Sequence, residues 1–186
     1  MSDMVARPAH VPAGATVEGD GVVLGSGPIV VHAYVDFLCP YCRAFELNAG
    51  GMLARLVAAG QITLAYHPMN FLDRASTTNY SSRAAAASGC ASDGGHFPGY
   101  VRALFKNQPP EGGPGLTDAK LAELAGAAGL PETFAECLHN GRYLDWAPYV
   151  TALAVARGVQ ATPTVLVNGR PVPANARMIS AAVAGA

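Results

Sequence analysis

Cys39-Pro40-Tyr41-Cys42 is the part of this chain whose residue types and spacing are most suited to chemistry. Where a strand gives way to a helix, a Cys-x-x-Cys pair is a dithiol/disulfide switch. One helical turn brings the two sulfurs within bonding reach. The first cysteine then lies at the helix N-terminus, whose dipole favours a thiolate. Such a thiolate attacks a disulfide or leaves from one. Half of a zinc site is the competing use of this spacing. Against zinc, Cys90 and Cys137 lie far apart rather than in a second Cys-x-x-Cys, and no His pair at ligand spacing follows. Pro40 also suits the first turn of a helix better than a zinc knuckle.

The elements that must position this motif are legible around it. Residues 29–37, IVVHAYVDF, form a nearly continuous β-branched and aromatic run, as expected of a strand buried on both faces. Pro40 starts a helix running to about Ala59, with Phe45, Met52, Leu53, Leu56 and Val57 at helical spacing and Gly60 as its stop. Residues 61–66 read as the next strand, completing a βαβ unit with parallel strands. Before it, residues 22–24 suggest an edge strand. After it, residues 76–91, 97–105, a segment capped by Thr117, a segment opened by Pro131, and residues 143–157 read as five helices. Residues 164–167, the hairpin signal Asn168-Gly169 and residues 170–172 then give two antiparallel strands, and residues 174–184 a last helix. The order is βαβ, a helical block, then ββα.

Bulk properties fit this α/β reading. The chain has 186 residues, 51% of them hydrophobic and only 13% charged, enough for one domain with an insertion. A net charge of −1 gives no reason to expect a nucleic acid or an anionic membrane surface as partner. No apolar stretch reaches the ~18 residues of a spanning helix. Residues 1–14 lack the basic start and apolar middle of a signal peptide, and residues 1–20 read as a flexible lead-in. The expected division is a sheet domain of residues 21–75 and 158–186, with residues 76–157 inserted. Cys90 and Cys137 are either a second disulfide, which would imply an oxidising compartment and a loop closure of about 4 kcal/mol, or a pair of ordinary buried thiols. His32, His67, His96 and His139 show no spacing suggesting a shared site and read as structural or surface residues.

The order and the residues together resemble the thioredoxin superfamily, and within it the DsbA-like thiol:disulfide oxidoreductases of the bacterial cell envelope. The segment Tyr34-Val35-Asp36-Phe37-Leu38-Cys39-Pro40-Tyr41-Cys42, with Phe45 and Glu46 following, is similar to that family's active-site strand and turn. Gly158-Val159-Gln160-Ala161-Thr162-Pro163-Thr164, with the later Asn168-Gly169, is similar to its second signature, Ala161 standing where a Gly is usual. The Cys90/Cys137 pair resembles an actinobacterial branch. The resemblance implies a thioredoxin fold with a helical insertion, catalytic Cys39 and Cys42, and a cis Pro163. Beside that proline, the Thr162 backbone would accept a substrate chain as an added strand. It also implies reduced secreted proteins as substrates and a membrane reoxidase of the DsbB or VKOR-like type. No cofactor is expected. The location would be extracytoplasmic, with a signal or membrane anchor missing from this chain.

One departure bears on mechanism. Ala33 stands where many relatives bury an acid near the second cysteine, so proton transfer falls to Glu46 or Asp36, or is absent. For Asp36, bonding to nearby backbone is an equally good reading. Tyr41 lies between the cysteines where a His could add positive charge, which predicts an oxidant weaker than the strongest of the family. The expected reaction is disulfide donation by dithiol exchange, performed by a monomer. The rivals are a reductase or isomerase of the same fold and a metal-binding or peptide-holding protein. A glutaredoxin shares the Cys-Pro-Tyr-Cys, but the interval from Cys42 to Pro163 is too long for it.

Overall fold

The computed structural model describes residues 6–186. Five strands, β1 (Val22–Leu24), β2 (Ile29–Val35), β3 (Ile62–Pro68), β4 (Thr164–Val167) and β5 (Arg170–Val172), form one sheet in the order β1-β3-β2-β4-β5. β2 and β3 are parallel and every other pairing is antiparallel. This is a thioredoxin fold. On β2, Val31, Ala33 and Val35 are fully buried, as a central strand flanked on both edges requires. Register then places the two sequence signatures together. Tyr34 pairs with Thr164 across β2 and β4. Because the strands run in opposite directions, the residues just before Thr164 lie beside those just after Val35.

The crossover from β2 to β3 is not the single regular helix expected from Pro40 to Ala59. It comprises α1 (Pro40–Phe45), a π-helical stretch Glu46–Gly50, and α2 (Gly51–Ala58). The wider turn accommodates the Glu46 side chain against Gly50, where a Cβ would come within 2.5 Å of Glu46 Oε1. Gly60, at φ +66°, ends the crossover.

Five helices lie between β3 and β4: α3 (Tyr80–Asp93), α4 (Phe97–Lys106), α5 (Asp118–Ala127), α6 (Thr133–His139) and α7 (Trp146–Ala156). α3 is their centre. Its Ala84, Ala85, Ala87 and Ala91 are fully buried, and such small side chains let α4, α6 and α7 approach it closely. The buried serine hydroxyls of α3 have partners, Ser81 donating to Asp36, Ser82 to Asp73 and Ser88 to Ala85 O, whereas the buried Tyr80 hydroxyl has none among the described residues. α3 starts at Tyr80 rather than at Ser76, because Asn79 is left-handed (φ 52°) and Ser76 Oγ accepts from the Tyr80 N–H. Thr117 caps α5 by accepting from Lys120 N. The last helix, α8 (Ala176–Ala184), packs on β4 and β5. Among the described residues no helix is long and apolar enough to cross a membrane.

Residues 11–20 are a strap and not part of a flexible lead-in. Ala13 bonds Asp93 and Ser92, Gly19 O accepts from the Trp146 indole, and Glu18 O accepts from Tyr149. The strap ends in a buried polar cluster that corrects the reading of the histidines. Asp20 O accepts from His67 Nδ1 at 2.7 Å, and His32 Nδ1 lies 2.9 Å from His67 Nε2. A carbonyl only accepts, so His67 carries its proton on Nδ1 and receives the His32 N–H on Nε2. Tyr34 stacks on His67 at 4.3 Å, and the Asp20 carboxylate takes Thr16 and Arg157. Spacing in sequence hid this pair. His32 and Tyr34 alternate onto one face of β2, and the parallel register sets His67 opposite Tyr34.

Burial holds His67 at about 4, below the free value of 6.5. Its contribution to stability is therefore complete above pH 6.5 and lost as the pH falls through 4, an effect of roughly 3 kcal/mol. His67→Asn, which keeps a donor near Nδ1, is expected to be less stable at neutral pH yet to lose less stability than the native chain between pH 6.5 and 4, as followed by denaturant midpoints.

Candidate active site

Cys39 ends the turn that follows β2 and is the N-cap residue of α1 (φ −74°, ψ 118°). Its N–H donates to Asp36 O and its carbonyl accepts from Arg43 N, both at 3.1 Å. Pro40 fits the first turn because it has no N–H to leave unsatisfied. Cys39 is 5% exposed and Cys42 0%, while Tyr41 between them is 75% exposed. Both thiols are free. Phe45, a turn further on, is buried and holds α1 on the sheet.

From the other side comes the segment before β4. The Thr162–Pro163 peptide bond is cis, and Cys39 Sγ lies 3.4 Å from Thr162 O. A shallow depression of about 450 Å³ runs from Tyr41 past Phe45 and Asn48 to Thr162, Pro163 and Asn175. Asn48 Oδ1 accepts from Ala176 N and so ties the crossover helix to the start of α8.

The two sulfurs differ electrostatically. A hydrogen bond from the Cys42 thiol, joined by the backbone N–H groups of Cys42 and Tyr41, brings Cys39 down to about 6 against the cost of its burial. Burial, and then the neighbouring Cys39 sulfur, pushes Cys42 far above the ordinary thiol range. The Asp36 N–H at 3.4 Å from Cys42 Sγ does not reverse that. One proton therefore leaves the pair near neutrality, and it leaves from Cys39.

The two acids considered for the Ala33 vacancy occupy different places. The Asp36 carboxylate, fully buried, accepts from Leu38 N, Leu72 N and Ser81 Oγ at 2.9, 2.9 and 2.6 Å. It anchors the turn to the helical insertion, and burial raises it to about 6 in spite of those donors. Glu46 has Tyr66 as its hydrogen-bond partner, at 3.4 Å, rather than either sulfur. Burial raises it as well, while Tyr66 and Arg102 oppose that. Tyr66, opposite Ala33 in the β2–β3 register, is the residue sequence reasoning missed. Burial and then the charges of Glu46 and Cys42 raise its phenol, so it sits electrically between them. Only strand register could have revealed it.

A second, mainly apolar cleft of about 370 Å³ lies between α2 and α4, with Leu53, Val57, Phe97 and Val101 in its walls and Glu46 at one side. Neither cysteine lines it. Cys90 on α3 and Cys137 on α6 form a disulfide with Cα atoms 5.9 Å apart. Among the described residues no three His, Cys, Asp or Glu side chains converge as metal ligands.

Residues 19–183 match the family model described as Thioredoxin. The chain is also similar to reduced DsbA from Mycobacterium tuberculosis, at 38% identity over 82% of this chain and 84% of that one, with a TM-score of 0.73. It belongs to the thioredoxin family, and within it is DsbA-like. The DsbA-like fold extends to MdbA from Actinomyces oris, with a TM-score of 0.78 over 95% of this chain and 92% of that one; at 20% identity this likeness concerns fold alone. A curated relative, the serine/threonine-protein kinase PknE of M. tuberculosis, is 36% identical over 140 residues. That match takes in 70% of this chain and 25% of the kinase, so the chain spans about a quarter of the length of the curated relatives it matches.

The reduced DsbA-like site should show one thiolate with an ultraviolet titration midpoint near pH 6, removed by Cys39→Ser. Because this lies below the free value of 9.0, the Cys39 contribution to the stability of the reduced form is complete above pH 9 and lost as the pH falls through 6. Denaturant midpoints of reduced and oxidised protein should converge toward acid; a constant gap would contradict the assignment.

Proposed function

We propose that this protein donates the Cys39–Cys42 disulfide to reduced, unfolded proteins outside the cytoplasm. The observation that carries the reading is the asymmetry of the pair, with Cys39 held near 6 and Cys42 held protonated. A stabilised Cys39 thiolate favours the reduced form of the protein and is a good leaving group, and both favour giving the disulfide away.

The exchange proceeds in two steps. A substrate thiolate attacks Cys39 Sγ, the Cys39–Cys42 bond breaks, and Cys42 takes up a proton. A second substrate thiolate then attacks the substrate sulfur of the mixed disulfide and expels Cys39 as thiolate. Two electrons pass from substrate to protein. In the reverse direction Cys39 attacks and Cys42 resolves. The Thr162 backbone next to Pro163, with the exposed Tyr41 and Leu47, would hold the substrate chain loosely. In this reading Asp36 holds the turn, and Glu46 influences Cys42 electrostatically through Tyr66, whose phenol feels both charges.

The reduced protein would be reoxidised by a membrane enzyme of the DsbB or VKOR-like type. The Cys90–Cys137 disulfide would then be structural, and its presence is consistent with an oxidising compartment. The protein would act as a monomer.

Cys42→Ser should accumulate mixed disulfides through Cys39, resolvable on non-reducing gels, while Cys39→Ser should abolish exchange. Equilibration with glutathione decides direction. A potential above about −200 mV supports disulfide donation, whereas a value near about −270 mV would make the protein a reductant of the thioredoxin kind.

A further inference from the structure

Gln108 is the one side chain of the helical insertion that grips the backbone of the cysteine turn directly. Its Nε2 lies 2.9 Å from Phe37 O and 2.9 Å from Cys39 O. Both acceptors are carbonyl oxygens, so only the NH₂ end of the amide can face them, and each of its two hydrogens serves one carbonyl. The other restraints on the turn run mainly through Asp36, which also takes Leu72 N and Ser81 Oγ. Cys39 N bonds Asp36 O, Leu38 N bonds the Asp36 carboxylate, and Cys39 O also takes Arg43 N. No backbone N–H among the described residues reaches Phe37 O.

Local sequence explains why Gln108 is available. Pro109 disfavours the helical conformation at the residue before it, so α4 stops at Lys106 and the chain swings Gln108 out of the helix. Two aromatic contacts fix α4 itself: Phe97 at its start meets Tyr66 edge-on at 5.6 Å, and Phe105 near its end lies 5.2 Å from Phe37. α4 therefore has a defined position at both the sheet and the cysteine turn.

We propose that Gln108 is a positioning residue of the redox centre, holding the turn that sets the Cys39 sulfur at the start of α1. It does not touch the reacting atoms. It fixes the carbonyls on either side of Leu38, and with them the angle at which Cys39 enters α1. The helical insertion is thereby part of the redox centre and more than a cover over it. The effect on redox balance rests on the proposed disulfide exchange; the effect on the Cys39 thiolate does not.

Three variants test this. Gln108→Leu removes both donors at similar size. Gln108→Glu sets acceptor oxygens and a negative charge against two carbonyls. Gln108→Lys keeps donors within reach and adds positive charge. In Leu and Glu the Cys39 thiolate should titrate higher than in the native chain. Their equilibrium with glutathione should move about tenfold toward the protein disulfide, which is about 30 mV. Lys should restore or exceed the native values. Thermal unfolding in both redox states identifies any variant that has lost its fold, and the Leu and Glu variants serve as alternates to one another. Native titration and equilibrium in a folded Leu or Glu variant would overturn the proposal. So would equal shifts in Leu and Lys, since packing rather than donation would then be at work. The titration needs neither substrate nor reoxidant. A native potential like that of thioredoxin would therefore overturn disulfide donation and leave the Gln108 comparison standing.

Discussion

Two sulfurs in contact at the start of a helix cannot both ionise, and the rest of this structure decides which one does. Cys39 has the helix N–H groups and the Thr162 side chain to support a charge; Cys42 has the interior. A hydrogen bond from Cys42 to the Cys39 sulfur is worth most when Cys39 is ionised, and it costs Cys42 its own ionisation. The pair thus behaves as a single titrating unit with one charge. The sheet holds Cys42 down, and the segment before β4 closes over Cys39. Both depend on a β2–β4 register that a shift of one residue would destroy, because every side chain would change faces.

The helical insertion takes part by way of polar groups in an apolar setting. α3 is so rich in alanine that its hydroxyls can reach inward: Ser81 finds Asp36, and Ser82 finds Asp73. A carboxylate as buried as Asp36 is tolerable only because donors from three segments meet it, two of them from beyond β3. The turn is consequently shared property, with its ends in the sheet domain and many of its restraints in the insertion.

The motif, the βαβ unit, the Asn168-Gly169 hairpin and the number of inserted helices could be read from sequence because each is written in neighbouring residues. What could not be read depends on pairs far apart in the chain. His32 and His67 meet only through parallel register, and Tyr66 comes to lie opposite Ala33 for the same reason. The strap of residues 11–20 looked loose because Pro, Ala and Gly are abundant there, yet backbone carbonyls need no special side chain to accept from Trp146 and Tyr149. The π-helical stretch escaped notice because Gly50 and Gly51 allow it without demanding it.

The Cys90–Cys137 bond places a formed disulfide and a free dithiol in one chain. Cys90 is buried in the tightly packed α3 and Cys137 is half-buried on α6, so the bond fastens the centre of the helical insertion to its edge. In an unfolded chain the thiolate preference of Cys39 does not exist, for it arises from contacts made only in the folded site. Four nearly equivalent thiols thus become two unlike pairs as the chain folds, one spent as a cross-link and the other left with a single ionisable sulfur.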